Sequence, residues 1–295
     1  MKKTNRYVYG CIAGMLLVFS GCTADDADGG MLPEGTPLQV LAGISGTDVA
    51  TRADASNAYD RSAFIVGDNI RITRNKGGNT TTADYQLQSN GTSWSVAGGG
   101  TAFTFESAVT YSAVYPKDYT AIRADQRTAE AFRLSNRLVT PVNVKANSIT
   151  GELAFTGTDK FTHLNSRITL TLTGNTNVTF APANTSLNLK GAGLSNSSSS
   201  SEETVYPYRP DAGANSWCAI LSPLTSGSKT ITVTMTIKGT DGFDITYRCE
   251  VTCACLKDTQ YKYSLTVEND KLVVSGVSIE AWHNADNSYV GGFDI

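Results

Sequence analysis

The sequence predicts an all-β protein built from β-sandwiches, and three observations carry that reading. Segment after segment alternates apolar and polar residues with period 2, the spacing of a half-buried strand. Turn residues separate those segments, above all glycine, of which there are 27. Helical periodicity is poor and no strand–helix–strand rhythm is present, which argues against an α/β sheet. Plentiful Thr and Ser, with 13 Tyr and 10 Phe, suit pleated, half-exposed surfaces.

Before any strand comes an export signal. Lys2, Lys3 and Arg6 form a positive start, residues 11–19 are apolar, and Ser20, Gly21 and Cys22 follow. That order is a signal peptide over residues 1–21. Its apolar run is too short for a mature membrane helix, which needs about 20 residues. Phe19-Ser-Gly-Cys22 resembles a bacterial lipobox, with Phe19 standing where Leu is usual. On that resemblance Cys22 is the lipidation site; the competing reading is an ordinary signal peptide with a cysteine after it. Residues 22–37 then read as a lipidated acidic tether. Asp25, Asp26 and Asp28 look like the mark that places some lipoproteins on the outer face of an outer membrane.

The strands follow in order. Leu38, Val40, Ala42 and Ile44 share one face of 38–44, and Ile70 and Ile72 one face of 69–73. Tyr85–Leu87 and Trp94–Val96 flank Asn90-Gly91, a strong hairpin signal because both residues tolerate positive φ. Phe103 and Phe105 alternate in 101–106, and Tyr111, Ala113 and Tyr115 in 109–115. The best helical candidate is 123–135, which is short enough to be a loop. Ile168, Leu170 and Leu172 alternate with threonines; Ile231 to Ile237 and Tyr261 to Val267 do the same with polar partners. A division falls within 158–185, giving an N-terminal sandwich domain over 38–165 and a C-terminal one over 166–295. The polar run 195–203 is read as an exposed loop inside the second domain.

Net charge is −3 and no basic stripe exists, so nucleic acid is not an expected partner. His163 and His283 lack neighbours at metal-ligand spacing and read as surface or satisfied histidines. No nucleophile elbow, phosphate loop or dinucleotide fingerprint occurs, and the carboxylates are scattered. No enzyme activity, cofactor or metal is expected. Outside the signal and Cys22, four cysteines remain: Cys218, Cys249, Cys253 and Cys255. Placed on a strand, Tyr247, Cys249, Val251, Cys253 and Cys255 share an inner face, while Arg248, Glu250 and Thr252 face out. Buried thiols, one disulfide and a metal site all stay open. Strand neighbours at i and i+2 lie about 6.5–7 Å apart, the upper limit for a bridge. A bridge from Cys218 on another strand is the easier one.

Several motifs together resemble the fimbrillin family, pilus subunits whose precursors travel as lipoproteins. The resemblance runs from Cys22 to the C-terminus. Its pieces are Thr51-Arg52-Ala53, Phe64-Ile-Val-Gly67-Asp68-Asn-Ile70, Ala113-Val-Tyr115-Pro116, Phe161-Thr-His163-Leu-Asn-Ser-Arg-Ile168, Tyr261-Lys-Tyr-Ser-Leu265 and Ile279-Glu-Ala-Trp282. It implies two sandwich domains of transthyretin-like, Greek-key topology. It also implies cleavage by an arginine-specific protease between Arg52 and Ala53, with Arg61 as a second candidate. Loss of the first strand would open an apolar groove, which a strand of another pilin subunit fills. The expected setting is the outer membrane, held through lipid on Cys22, and the fimbrium after processing, serving cell adhesion. The tail Tyr289–Ile295 alternates only partly, so a donor role for it stays open. The alternative reading is a monomeric outer-surface lipoprotein that binds glycan or host protein and keeps its lipid.

Overall fold

Strands form where the period-2 pattern is strongest. The computed structural model describes residues 30–44, 63–173, 184–210, 213, 215–238, 243–268 and 271–282. The signal peptide, Cys22, Arg52, Ala53, Arg61, His283 and the tail after Trp282 lie outside the described residues. The chain is all-β; the described residues include a seven-residue α-helix and the 3-10 turn Gly157–Asp159. The helical candidate 123–135 shrinks to α1, Ala129–Ser135. Thr128 starts it, its hydroxyl accepting the Ala131 N–H at 3.1 Å. The residues before it do different work. Ala124 and Gln126 exchange backbone hydrogen bonds with Tyr206, and the Gln126 amide both donates to and accepts from the Ile220 backbone at 2.8 Å.

The first half holds β1 (Gln39–Ala42), β2 (Asn69–Lys76), β3 (Asn79–Leu87), β4 (Trp94–Val96), β5 (Thr110–Tyr115), β6 (Leu138–Val139), β7 (Glu152–Phe155) and β8 (Thr162–His163). Six of these form one sheet in the order β4-β3-β2-β5-β6-β8, and β1 pairs with β7 in a second, two-stranded sheet. The hairpin around Asn90-Gly91 is present as β3–β4, with Leu87 opposite Trp94. Its loop spans 88–93: Gly91 sits at φ 72° and the Asn90 side chain accepts the N–H groups of Thr92 and Ser93. Ile70, Ile72, Tyr85, Leu87, Tyr111 and Tyr115 from the larger sheet pack into one apolar cluster with Val40, Leu153 and Phe155 from the smaller.

Between His163 and Ser166 the chain leaves the first sheet. The second half holds β9 (Ser166–Thr173), β10 (Thr185–Ala192), β11 (Glu202–Val205), β12 (Ser216–Leu221), β13 (Lys229–Lys238), β14 (Asp244–Cys253), β15 (Thr259–Glu268) and β16 (Lys271–Ala281). Two four-stranded sheets result, β11-β10-β13-β14 and β12-β9-β15-β16. Their facing residues, including Leu187, Leu189, Val233, Ile168, Leu170 and Tyr263, form a separate cluster. A third, small cluster joins Ile122 and Phe132 to Cys218, Ile220 and Trp282. Thus residues near α1, which precede His163 in sequence, pack on β12. The Ser-rich run 195–203 connects β10 to β11 within this half.

Candidate functional site

β1 is built as its alternation requires. Val40, Ala42 and Ile44 are buried, Gln39 is exposed, and Val40 and Ile44 are each only 1% exposed. Burying a Val and an Ile side chain is worth about 1.5–3 kcal/mol each.

Hydrogen bonds hold this segment from both sides. On one flank, Gly35 N–H donates to Phe105 O at 2.9 Å, Phe105 N–H to Thr36 O at 2.7 Å, and Leu38 N–H to Phe103 O at 3.1 Å. On the other, β1 runs parallel to β7 with Val40 opposite Leu153. Gln39 N–H donates to Gly151 O and Gly43 N–H to Phe155 O, both at 2.9 Å; Phe161 N–H donates to Gly43 O at 3.0 Å. The expected strand 101–106 is therefore an isolated pairing, Pro37 with Thr104, while Phe103 and Phe105 are buried as the alternation implied.

Both walls have anchors that do not involve β1. Phe103 N–H donates to the Tyr85 hydroxyl at 2.8 Å. The Glu106 carboxylate accepts from Arg74 and, at 2.7 Å, from Lys76, both of β2. Those two cations hold the Glu106 carboxyl below its usual range, Lys76 contributing most. On the opposite wall, Asn147 N–H donates to Glu152 O at 2.8 Å and Phe155 meets Phe161 edge-on at 6.0 Å.

Each end of the segment carrying Arg52 is tied down near one ring. Ile44 pairs with Phe161, and Phe64 packs edge-on against Phe161 at 5.1 Å, Trp94 at 5.2 Å and Tyr115 at 5.3 Å. The motif starting at Phe64 is a turn lock. Gly67 adopts φ 91°, which only glycine takes without strain. The buried Asp68 carboxylate accepts the Ile65 N–H at 2.8 Å and the Tyr115 hydroxyl at 2.9 Å. Two motifs distant in sequence, Phe64–Ile70 and Ala113–Pro116, thereby meet at one carboxylate.

The motifs Phe161–Ile168 and Ile279–Trp282 also meet. His163 stacks on Trp282 with centroids 3.8 Å apart and planes within 5°, and the Arg167 guanidinium lies 5.8 Å from the Trp282 ring. His163 Nδ1 is 2.9 Å from the Asn136 side-chain oxygen. Asp258, at φ 55°, accepts the Trp282 backbone N–H through its carbonyl at 2.9 Å and the His163 backbone N–H through its carboxylate at 3.3 Å. Burial pushes the Asp258 carboxyl up to about 6. His163 is buried, with a partner at Nδ1, rather than on the surface, which was one of the two readings the sequence left for it; Asp258 has a shifted carboxyl that nothing in its spacing marks.

The expected cysteine face does not form on one strand. β14 ends at Cys253, and Cys255 lies past it at φ 47°, so the two do not share one extended face. Cys253 and Cys255 are fully buried, and Cys249 is half-buried. Cys218 sits in the third cluster, apart from the cluster that holds Cys253 and Cys255, so the bridge that spacing made the easier one is not formed, and all four cysteines are free thiols. Among the described residues no group of three or more His, Cys, Asp and Glu could hold a metal ion. No described helix is long and apolar enough to cross a membrane.

A family model described as fimbrillin-like matches residues 51–282. Among solved structures, a candidate cell adhesion protein from Bacteroides uniformis is similar with a TM-score of 0.58 at 15% identity, covering 84% of this chain and 97% of that one. A second such candidate, from Bacteroides ovatus, gives a TM-score of 0.56 at 18% identity, covering 84% and 98%. No curated protein matches the sequence.

Proposed function

Because the chain belongs to the fimbrillin-like family, we propose that it is a structural, non-catalytic pilus subunit that serves cell adhesion and assembles by strand exchange. The precursor is exported by residues 1–21, lipidated on Cys22 and carried to the outer membrane. Cleavage between Arg52 and Ala53 frees β1 together with its lipid. The remaining body comprises two sandwich domains, 38–165 less the lost strand and 166–295, and accepts a strand from another pilin subunit.

One observation carries this reading: the segment 35–44 is hydrogen-bonded to Phe103 and Phe105 through Gly35, Thr36 and Leu38, and to the β7 side through β1 and Gly43, with Val40, Ala42 and Ile44 buried on one face. Its departure bares two rows of backbone groups and an apolar floor, and one amphipathic strand from outside satisfies both at once. The solved candidate adhesion proteins support the adhesion role by likeness of fold. The glycan-binding alternative would use an aromatic face, yet Trp94, Trp217 and Trp282 are only 8%, 3% and 2% exposed.

The test is proteolysis of the purified precursor with an arginine-specific protease. The expected result is a body whose N-terminus is Ala53 and which forms a ladder of polymers, with Arg52→Ala blocking both. A body that loses β1 yet stays monomeric at every concentration would overturn the proposal. In cells, Cys22→Ser is expected to abolish incorporation of labelled palmitate.

A further inference from the structure

Where β14 ends, the backbone turns back on itself. Cys255 adopts φ 47°, a left-handed conformation that a non-glycine residue enters at a cost. The turn brings the Cys255 and Cys253 Sγ atoms to 2.9 Å, well inside the separation an extended i, i+2 pair would have. Both thiols are fully buried in the core of the second half. The kink is fixed from outside the pair: Leu224 N–H donates to Cys255 O at 2.9 Å, and Leu256 N–H donates to the Tyr261 hydroxyl at 3.2 Å. Lys229, opposite Cys253 on β13, is also buried and donates from Nζ to Ser222 O at 2.6 Å and to Gly193 O. Its ammonium helps draw the Cys255 thiol down, after the hydrogen bond shared with Cys253, while Cys253 is pushed up by its neighbour and by burial.

We propose, independently of any pilus role, that Cys253 and Cys255 form a fold-imposed dithiol that closes to a disulfide, locking the kink between β14 and β15. An S–S bond is about 2.05 Å long, so closure asks for a shift of roughly 0.9 Å from the present 2.9 Å contact. The oxidant is a disulfide of an exchange partner. One cysteine thiolate attacks a partner sulfur, forming a mixed disulfide and expelling one partner thiolate. The second cysteine, having lost its proton, attacks the mixed disulfide and expels the other. The chain loses two protons and two electrons; the partner disulfide becomes two thiols. Because both sulfurs are buried, the exchange runs while the second half is transiently open, and reclosing seals the bond.

The experiment uses the full chain in a buffer of reduced and oxidised glutathione, with urea below the unfolding midpoint so that molecules open and reclose. After alkylation in denaturant, digestion at Lys, Arg and Glu yields the peptide Val251–Lys257, whose two cysteines are Cys253 and Cys255. The expected product carries no alkyl group and is lighter by two hydrogens, while Cys218 and Cys249 are alkylated. A synthetic Val251–Lys257 peptide in the same buffer must reach the left-handed kink unaided, so its disulfide-to-dithiol ratio is expected to be about tenfold lower. Double alkylation of Val251–Lys257, a bridge from either residue to Cys218 or Cys249, or a ratio no higher than that of the peptide would overturn the proposal.

Discussion

Replacing Ile44 with Ala weakens the first strand in a way that can be read without cutting the chain. The Ile44 side chain is 1% exposed and its backbone pairs with Phe161. The substitution removes three carbons, and at about 0.8 kcal/mol per buried methylene the loss is about 2.4 kcal/mol. A residual cavity would raise it within the 2–5 kcal/mol range of such truncations. If β1 opens as a unit before the rest unfolds, its opening constant rises about 50-fold. Native-state hydrogen exchange reads this at the Gly43 and Phe161 amides, whose acceptors, Phe155 O and Gly43 O, are lost when β1 leaves. Both are expected to exchange about 50-fold faster, with β13 amides unchanged. Gln39→Ala, on the exposed face of the same strand, is expected to alter these rates less than about twofold. Equal acceleration by the two variants, or acceleration spread evenly over both halves, would refute the reasoning that β1 is a separable plug held by its buried face.

Three further outcomes follow from the packing. Asp258 is raised to about 6 by burial, above the ordinary carboxylate value of about 3.9, so the folded chain binds this proton more tightly than the unfolded one. Stability from this group is therefore fully present below pH ~4, falls as pH rises to ~6, and is flat beyond. Asp258→Asn keeps the acceptor for the His163 N–H and suits φ 55°; relative to wild type it is expected to gain about 1–2 kcal/mol at pH 7, after discounting for solvent, in urea titrations at pH 4 and 7. Asp68→Ala takes an acceptor from both Ile65 N–H and the Tyr115 hydroxyl and is expected to cost about 1–3 kcal/mol, against about 1 kcal/mol for Tyr115→Phe, by the same titration. Gly191→Ala would place a Cβ 2.8 Å from Thr230 O between β10 and β13, and a thermal-melting loss equivalent to about 1–3 kcal/mol is expected.

What was legible in the sequence follows from what period 2 encodes. Alternation marks which residues turn inward, so β9, β13 and β15 and the buried faces of β1 and β5 could be read directly. It carries no information about partners. The parallel pairings of β1 with β7 and of β9 with β15 join strands far apart in sequence, and nothing local announces them. β7 itself is four residues long, too short to stand out. The helical pattern at 123–135 is realised only over Ala129–Ser135, because Gln126 is claimed by the β12 edge, a tertiary demand stronger than local propensity. Cys255 escaped for a related reason: a left-handed non-glycine residue is imposed by its surroundings, and the sequence there reads as continuing strand. The proposed cleavage residue, Arg52, is marked only by family resemblance, since a lone arginine in a polar segment has no physical signature.

The claim that β1 occupies a replaceable place in its sheet is tested most directly by giving it back. Precursor cut at Arg52 and freed of its N-terminal fragment is mixed with a synthetic peptide of residues 34–46. The expected result is one peptide bound per body, protection of the Phe105 and Phe161 amides from hydrogen exchange, and suppression of polymer formation in proportion to occupancy, with a peptide carrying Val40→Asp and Ile44→Asp inert. A body that ignores the native peptide, or polymerises equally well with its slot filled, would contradict it.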